Sequence, residues 1–145
     1  MSNTSENCHP NDDITNFQTL DGLRIVVVDD DADTLVLTSF ILESCGVQTV
    51  TATSALEALE IIQQYVPDVL IIDIAMPEVD GYSLIRKVRT LNSPQNQIPA
   101  IALTAMDSEE GRDLALKLGF QSYLIKPSDP NDIVTEIVNI LTKKI

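Results

Sequence analysis

Five short apolar runs, each followed by a segment with helical periodicity, constrain the fold of this chain more than any other feature. The runs cover residues 23–28, 47–52, 68–73, 99–104 and 121–125. Continuous runs rich in Val, Ile and Leu are typical of strands buried on both faces, as in parallel sheets. Strands that alternate with helices are joined by right-handed crossovers that cover both faces of the sheet. The sequence therefore predicts an α/β fold, a doubly wound five-stranded parallel sheet with five helices.

Polar residues between the runs indicate where the helices begin and end. The predicted helices cover 32–45, 55–65, 81–91, 108–119 and the residues from 130 onward. A small polar residue with an acid three positions later is typical of a capping box, glycine is favoured where a helix ends, and proline is favoured at its first position. The residues expected at helix ends are Ser54 with Glu57, Asp107 with Glu110, Gly46, Gly119, and Asp129 with Pro130.

The charge of the chain excludes two classes of partner. Its 145 residues are enough for one domain with a core, and they carry 22 acidic and 9 basic side chains, a net charge of −13. DNA, RNA and anionic membranes repel such a surface, so we expect no direct nucleic-acid or membrane binding. There is no apolar run long enough to span a bilayer and no secretory signal, so we expect a cytoplasmic protein.

The N-terminal segment differs in composition from the rest. Residues 1–21 are mostly polar and contain neither Lys nor Arg before position 20, so we predict a flexible tail at 1–21 and a folded domain at 22–145. As an alternative, Ile14, Phe17 and Leu20 could form a short amphipathic turn that packs on the domain. Cys8 and Cys45 give no disulfide framework and are expected to be free thiols.

Polar side chains stand where four of the predicted strands end. Asp29 and Asp30 follow the first strand, Asp73 ends the third, Thr104 ends the fourth, and Lys126 follows the fifth. Ligands of doubly wound sheets bind at the carboxyl ends of the strands. Each residue alone has an ordinary explanation, such as a helix cap, a turn or a strand position. Their joint position at one edge of the sheet predicts a functional site.

Clustered carboxylates repel one another, and a hard divalent cation removes that cost. Mg²⁺ prefers oxygen ligands and usually takes one or two carboxylates together with phosphate oxygens. Lys126 offers a compact positive charge for a phosphate oxygen, and Thr104 offers a hydroxyl donor. A carboxylate can itself attack phosphorus and form an aspartyl-phosphate. The residues therefore predict phosphoryl transfer at a magnesium site.

Four segments carry a resemblance to a known family. They read VVVDDDAD at 26–33, VLIIDIAMPEVDG at 69–81, PAIALTA at 99–105 and SYLIKP at 122–127. In combination, order and spacing, they resemble the response-regulator receiver domains of two-component signalling, among them the chemotaxis regulators. The resemblance covers residues 22–143 and implies a strand order of 2-1-3-4-5.

The resemblance implies a role for each residue of the metal site. Asp73 would be the phosphoacceptor, and the donor would be a histidine kinase or a histidine phosphotransfer protein. Mg²⁺ would be bound by Asp30, by Asp73 and by the backbone carbonyl of Ala75, with Asp29 acting through water. The protein would be a signalling switch that catalyses its own phosphorylation and slow dephosphorylation, without being an enzyme that acts on another substrate.

The resemblance also implies how the signal leaves the site. Thr104 would bond the phosphoryl group, Lys126 would pair with it, and Tyr123 would swing inward as Thr104 moves. The peptide bond between Lys126 and Pro127 would be cis. Only three residues follow the last predicted helix, so we expect the signal to pass to a separate output protein, unless the chain is a piece of a longer one.

Two other functions fit some of these residues. The letters DADT at 31–34 resemble the start of haloacid-dehalogenase-type phosphatases, which also form an aspartyl-phosphate, but Thr104 and Ala105 stand where those enzymes need a later acidic pair. A receiver-like binding module that acts without phosphorylation is the second alternative. The presence of all the site residues argues against it.

Overall fold

The structure of the chain is a computed structural model that describes residues 20–75, 80–105, 108–126 and 130–143. Five parallel strands form one sheet in the order β2-β1-β3-β4-β5. This confirms the predicted fold class and strand order. The strands are β1 (Arg24–Val28), β2 (Gln48–Ala52), β3 (Val69–Asp73), β4 (Ala100–Thr104) and β5 (Ser122–Ile125).

Five helices cover the two faces of the sheet, which divides the core into two clusters. Ile62, Leu84 and Ala115 belong to one cluster, so the second, third and fourth helices share a face. Leu42 and Ile137 belong to the other, so the first and last helices share the opposite face. The helices are α1 (Ala32–Glu43), α2 (Ala55–Gln64), α3 (Gly81–Arg89), α4 (Glu109–Leu118) and α5 (Pro130–Lys143), with a short 3₁₀ turn at Gln95–Gln97.

The helix starts agree with the capping predictions in part. The hydroxyl of Ser54 accepts a hydrogen bond from the backbone N–H of Glu57 at 3.1 Å, as predicted. The carboxylate of Glu57 accepts from the N–H of Thr53 at 2.8 Å, one residue before the position expected for a capping box. The prediction that Asp107 caps α4 is wrong, because the extended backbone at Ser108 lets its hydroxyl accept from the N–H of Gly111 at 2.9 Å.

The end of α1 also differs from the prediction. The helix ends at Glu43 with Ser44 as its C-cap, so Gly46 is not the C-cap that the sequence suggested. Gly46 instead has a φ of +88° and donates its N–H to the carbonyl of Glu43 at 3.0 Å. Its missing side chain leaves room for Asp21, which occupies the place of a Cβ atom. Gly119 ends α4 with a φ of +122°, as predicted.

Leu20 belongs to the core, although the sequence placed it in the flexible tail. Its side chain is fully buried in the cluster beneath α1 and α5, and its carbonyl accepts from the N–H of Leu23 at 3.0 Å. Residues 1–19, with the other tail predictions, lie outside the described residues. So do Asp129 and Pro127, which carry the predictions of a helix cap and of a cis peptide bond. Among the described helices, none is both long and apolar enough to cross a membrane.

Candidate acidic site at the carboxyl edge of the sheet

The register of the sheet brings the predicted site residues to one edge. Val28 pairs with Ile72 between β1 and β3, so Asp29 follows its strand directly beside Asp73. Between β4 and β5, Thr104 pairs with Ile125, so Lys126 comes next along the same edge. The backbone N–H of Lys126 donates to the carbonyl of Thr104 at 2.7 Å, which extends the ladder to the site.

Lys126 joins the two buried carboxylates. Its Nζ lies 2.7 Å from Oδ2 of Asp29 and 3.5 Å from Oδ2 of Asp73. Asp29 and Asp73 are 1% and 5% exposed, so both depend on partners within the protein. The other oxygen of Asp29 accepts from the N–H of Asp31 at 2.9 Å, and the other oxygen of Asp73 accepts from the N–H of Ala75 at 3.2 Å. Each buried carboxylate is therefore held by one cation and one backbone donor.

Three carboxylates form a group with the chemistry of a magnesium site. One oxygen from each of Asp29, Asp30 and Asp73 lies within 4.8 Å of the other two. Asp30 is exposed, whereas its two neighbours are buried, so solvent reaches the group from the side of Asp30. Mg²⁺ is bound by oxygen ligands and retains several waters, which fits a partly open group of carboxylates. The donor set present here fits that ion.

The charge of Lys126 does not offset the burial of Asp73 and its repulsion by Asp29. Burial raises the pKa of Asp73, and repulsion by the charge of Asp29 adds to this, while attraction to Lys126 opposes it. Burial lowers the pKa of Lys126, but its hydrogen bond and charge interaction with Asp29, together with those of Asp73, outweigh burial and leave that pKa above its usual value. The site thus favours a charged lysine and disfavours a charged Asp73.

A glycine lets α3 approach the end of β3. A Cβ atom on Gly81 would lie 2.7 Å from both the carbonyl oxygen of Asp73 and the Cα atom of Ile74. The N–H of Gly81 donates to the carbonyl of Ile74 at 2.9 Å, so the helix start is tied to the residue after Asp73. Sequence reasoning treated Gly81 only as a helix start and missed this contact. The letters VDG at 79–81, which follow β3, do not indicate how closely the backbones of α3 and β3 approach each other.

The two predicted switch residues are buried. Thr104 has no exposed surface, and Tyr123 is 4% exposed and packs in the cluster beneath α2, α3 and α4. The guanidinium of Arg112 lies over the Tyr123 ring at 5.1 Å from its centre. Tyr123 therefore occupies an inward position in this structure.

The motif at 31–34 begins a helix here. Asp31 is the residue before α1, and its exposed carboxylate accepts the hydroxyl hydrogen bond of Thr34 at 2.6 Å. That hydrogen bond holds the pKa of Asp31 below its usual value. Among the described residues, Asp31 does not belong to the group of three clustered carboxylates. The resemblance to a phosphatase motif is thus explained by the local geometry of a helix start.

A doubly wound sheet with buried carboxylates and a lysine at its carboxyl edge is the arrangement that the resemblance to receiver-type signalling domains implied. Comparison with known proteins names the family. The model of the response regulator receiver domain matches residues 25–138. The chain belongs to the response regulator receiver domain family.

Three similar proteins illustrate the membership of the chain in this family. The chain is 47% identical over 118 residues to a 14.6 kDa protein from the sodA1 3′ region of Leptolyngbya boryana, covering 81% of this chain and 89% of that one. It is 35% identical over 120 residues to the response regulator SaeR of Staphylococcus epidermidis, covering 83% of this chain but only 51% of SaeR. Its structure resembles chemotaxis protein CheY4 of Vibrio cholerae with a TM-score of 0.77 and 27% identity, covering 82% of this chain and 98% of that one.

Proposed function

We propose that Asp73 accepts a phosphoryl group from a phosphohistidine on a histidine kinase or a histidine phosphotransfer protein. Accepting a phosphoryl group is the general function of receiver domains, and this chain is one of them. The observation that carries the assignment to Asp73 is its position: it ends β3 with Lys126 at 3.5 Å, and Asp29 and Asp30 complete the cluster around it. Among the three clustered acids it is the one that ends the central strand of the sheet.

In the proposed step, a carboxylate oxygen of Asp73 forms a bond to phosphorus, and the bond from phosphorus to the donor imidazole nitrogen breaks. The electron pair of that bond stays on the imidazole. The raised pKa of Asp73 makes its ionised form a stronger base, which favours attack. Lys126 then has a phosphoryl oxygen as a partner in place of a carboxylate, and the hydroxyl of Thr104 donates to a second phosphoryl oxygen.

The ligands proposed for Mg²⁺ are Asp30, Asp73 and the backbone carbonyl of Ala75, with Asp29 acting through water. When bound, the ion would neutralise charge on the phosphoryl oxygens and on the clustered acids. Asp29 already has Lys126 and a backbone N–H as partners, which supports a role outside direct coordination. Asp30 faces solvent, which supports its role as a direct ligand.

The phosphorylated form would act on a separate output protein. In that form Tyr123 is buried, as it is in this structure, and β5 with the adjoining helices α4 and α5 presents the changed surface. The protein would catalyse its own phosphorylation and slow dephosphorylation. The chain spans about half the length of SaeR, so the activity and partners of that whole protein do not carry over. The cytoplasmic location expected from the sequence stays a prediction.

The test is phosphorylation by acetyl phosphate with Mg²⁺, read by mass spectrometry. The parent should gain one phosphate, and Asp73→Asn should gain none. Lys126→Ala should be labelled more slowly, while Asp113→Asn, which changes an exposed acid on α4, should behave as the parent. Equal labelling of Asp73→Asn and the parent would contradict the assignment. A parent that is never labelled would favour a binding module that acts without phosphorylation.

A further inference from the structure

Two tyrosines from different elements meet at the first turn of α4. The hydroxyl of Tyr82, on α3, donates a hydrogen bond to the carbonyl of Gly111, on α4, at 3.1 Å. Burial raises the pKa of Tyr82, with the charges of Tyr123 and Asp80 adding to it, so the phenol stays protonated and remains a donor. This bond ties the start of α4 to α3 across 29 positions of the sequence.

Gly111 is the point on which the hydroxyl groups converge. A Cβ atom there would lie 2.8 Å from the hydroxyl oxygen of Tyr123, 3.2 Å from that of Tyr82 and 2.8 Å from that of Ser108. At distances below 3.0 Å the hydroxyl groups of Tyr123 and Ser108 would have to shift to admit a Cβ atom. A glycine inside a helix costs about 1 kcal/mol relative to alanine, so it usually has a packing reason. Here the reason is the space that the buried Tyr123 hydroxyl occupies.

The first turn of α4 therefore forms a cover over Tyr123. Because Gly111 has no side chain, its backbone lies close to the hydroxyl group of Tyr123. The guanidinium of the neighbouring Arg112 lies over the Tyr123 ring. Tyr82 holds this turn in place from α3. If the turn moved away, Tyr123 would lose its contact with Arg112 and part of its protection from water.

We infer that Tyr82 and Gly111 are positioning residues that hold Tyr123 in its buried position before any phosphoryl group is present. Tyr82 fixes the first turn of α4, and Gly111 provides the space beneath it. The consequence for signalling rests on the proposed function: a phosphorylated form that requires a buried Tyr123 is reached more readily when the buried position is already favoured.

The direct test uses fluorotyrosine-labelled protein without phosphate or metal. The three tyrosine resonances are assigned by single Tyr→Phe substitutions, and the exposure of Tyr123 is measured as line broadening by a soluble paramagnetic probe. One hydrogen bond is worth roughly a 2- to 10-fold change in an equilibrium. Tyr82→Phe should increase the exposed population of Tyr123 by roughly that factor, and Gly111→Ala should increase it further.

Tyr65→Phe is the matched control. Tyr65 is a partly buried tyrosine with an arginine, Arg24, over its ring at 5.0 Å, but it lies just after α2, away from α4. Its substitution should leave the exposure of Tyr123 unchanged. If Tyr82→Phe lowers the stability of the fold while Tyr123 keeps its parental exposure, Tyr82 is a structural residue only and the inference is wrong.

A second arm tests the consequence for signalling. Calorimetry with beryllofluoride and Mg²⁺, which together mimic a phosphoryl group on Asp73, should give an affinity roughly 2- to 10-fold weaker for Tyr82→Phe than for the parent or Tyr65→Phe. Unchanged affinity, with Tyr123 shown to be more exposed, would overturn the link to signalling. If the parent itself fails to bind beryllofluoride, the proposed function fails, whereas the measured exposure of Tyr123 still decides the positioning role.

Discussion

Replacing Asp73 by asparagine is expected to make the folded protein more stable at neutral pH, although it removes the proposed phosphoacceptor. The carboxylate is 5% exposed and lies near two other acids and one lysine. Asparagine keeps its shape and an oxygen that can accept from the N–H of Ala75, but it carries no charge. The substitution therefore isolates the cost of the buried charge.

The magnitude follows from the distances. With an effective dielectric constant of about 20, Lys126 at 3.5 Å attracts Asp73 by about 5 kcal/mol. On the same basis Asp29, with an oxygen within 4.8 Å of one of Asp73, repels it by at least about 3.5 kcal/mol, and the exposed Asp30 adds a repulsion that solvent screens. The two repulsions offset the attraction, and the desolvation of the charge is left as a net cost. We expect a gain in the free energy of unfolding of about 1–2 kcal/mol for Asp73→Asn.

The pH dependence has a definite sign. The pKa of Asp73 is raised above its ordinary value of 3.8, because of burial and then of Asp29. The unfolded chain therefore loses this proton at a lower pH than the folded chain. Below pH 3.8 the Asp73 carboxyl is protonated in both the folded and the unfolded state, so its charge does not lower the stability. As the pH rises through the folded pKa, the full cost of burying that charge appears. The advantage of Asp73→Asn should thus be present at neutral pH and shrink as the solution is acidified.

Urea denaturation with EDTA present, at several pH values from acidic to neutral, measures this difference. Asp113→Asn, at an exposed position on α4, should change the stability by less than about 0.5 kcal/mol at every pH. Added Mg²⁺ should stabilise the parent and narrow its gap to Asp73→Asn, because an ion bound only by the folded state shifts the equilibrium towards it. An Asp73→Asn protein that is equally or less stable than the parent at neutral pH would refute the reasoning.

Three further predictions concern the same edge of the sheet. Gly81→Ala should destabilise the fold by about 1–2 kcal/mol in urea denaturation, because the new Cβ atom would lie 2.7 Å from backbone atoms. Helix propensity alone would favour alanine, so a stabilised variant would contradict the close approach of α3 to β3. Asp30→Ala should weaken Mg²⁺ binding in calorimetry much more than Asp33→Ala does, because Asp30 belongs to the carboxylate cluster; parental affinity in Asp30→Ala would show that it is not a ligand. Phospho-Asp73 should decay over many minutes or longer, because neither the exposed methyl group of Ala75 nor the thioether of Met106 can orient a water strongly. Met106 lies outside the described residues. The double variant Ala75→Asn with Met106→Glu should lose the phosphoryl group faster; decay within seconds in the parent, or no acceleration in the double variant, would be the contrary result.

The sequence predicted the architecture because its signals are local and repeated. Each buried strand appears as a continuous apolar run, and parallel strands place their carboxyl ends at one edge. That rule predicted that Asp29, Asp73 and Lys126 lie together, and the structure places Lys126 Nζ within 3.5 Å of both acids. The resemblance to receiver domains, which the family match confirms, supplied the strand order that the structure shows; the role that it implies for each site residue stays a prediction.

Local detail was predicted less well where neighbouring residues offer the same chemistry. Asp107 and Ser108 are both favoured helix caps, and the choice depends on which backbone is extended at the turn. Ser108 is extended, with φ of −142° and ψ of 145°, and it caps α4. In the same way, glycine is favoured at helix ends, which made Gly46 a candidate. The helix α1 ends earlier, at Glu43, and the missing side chain of Gly46 instead allows Asp21 to approach its backbone.

The sequence by itself determined the parallel sheet, the edge of the sheet that carries the site, and the acids and the lysine at that edge. It could do so because hydrophobic runs and strand ends can be recognised from short stretches of consecutive residues. Only the tertiary structure decided the contacts between distant residues: the ion pair of Lys126 with Asp29 across 97 positions, the approach of Gly81 to the end of β3, and the hydrogen bond by which Tyr82 holds the turn at Gly111 over Tyr123. These contacts depend on strand register and helix placement to within an ångström, which no pattern of consecutive residues specifies.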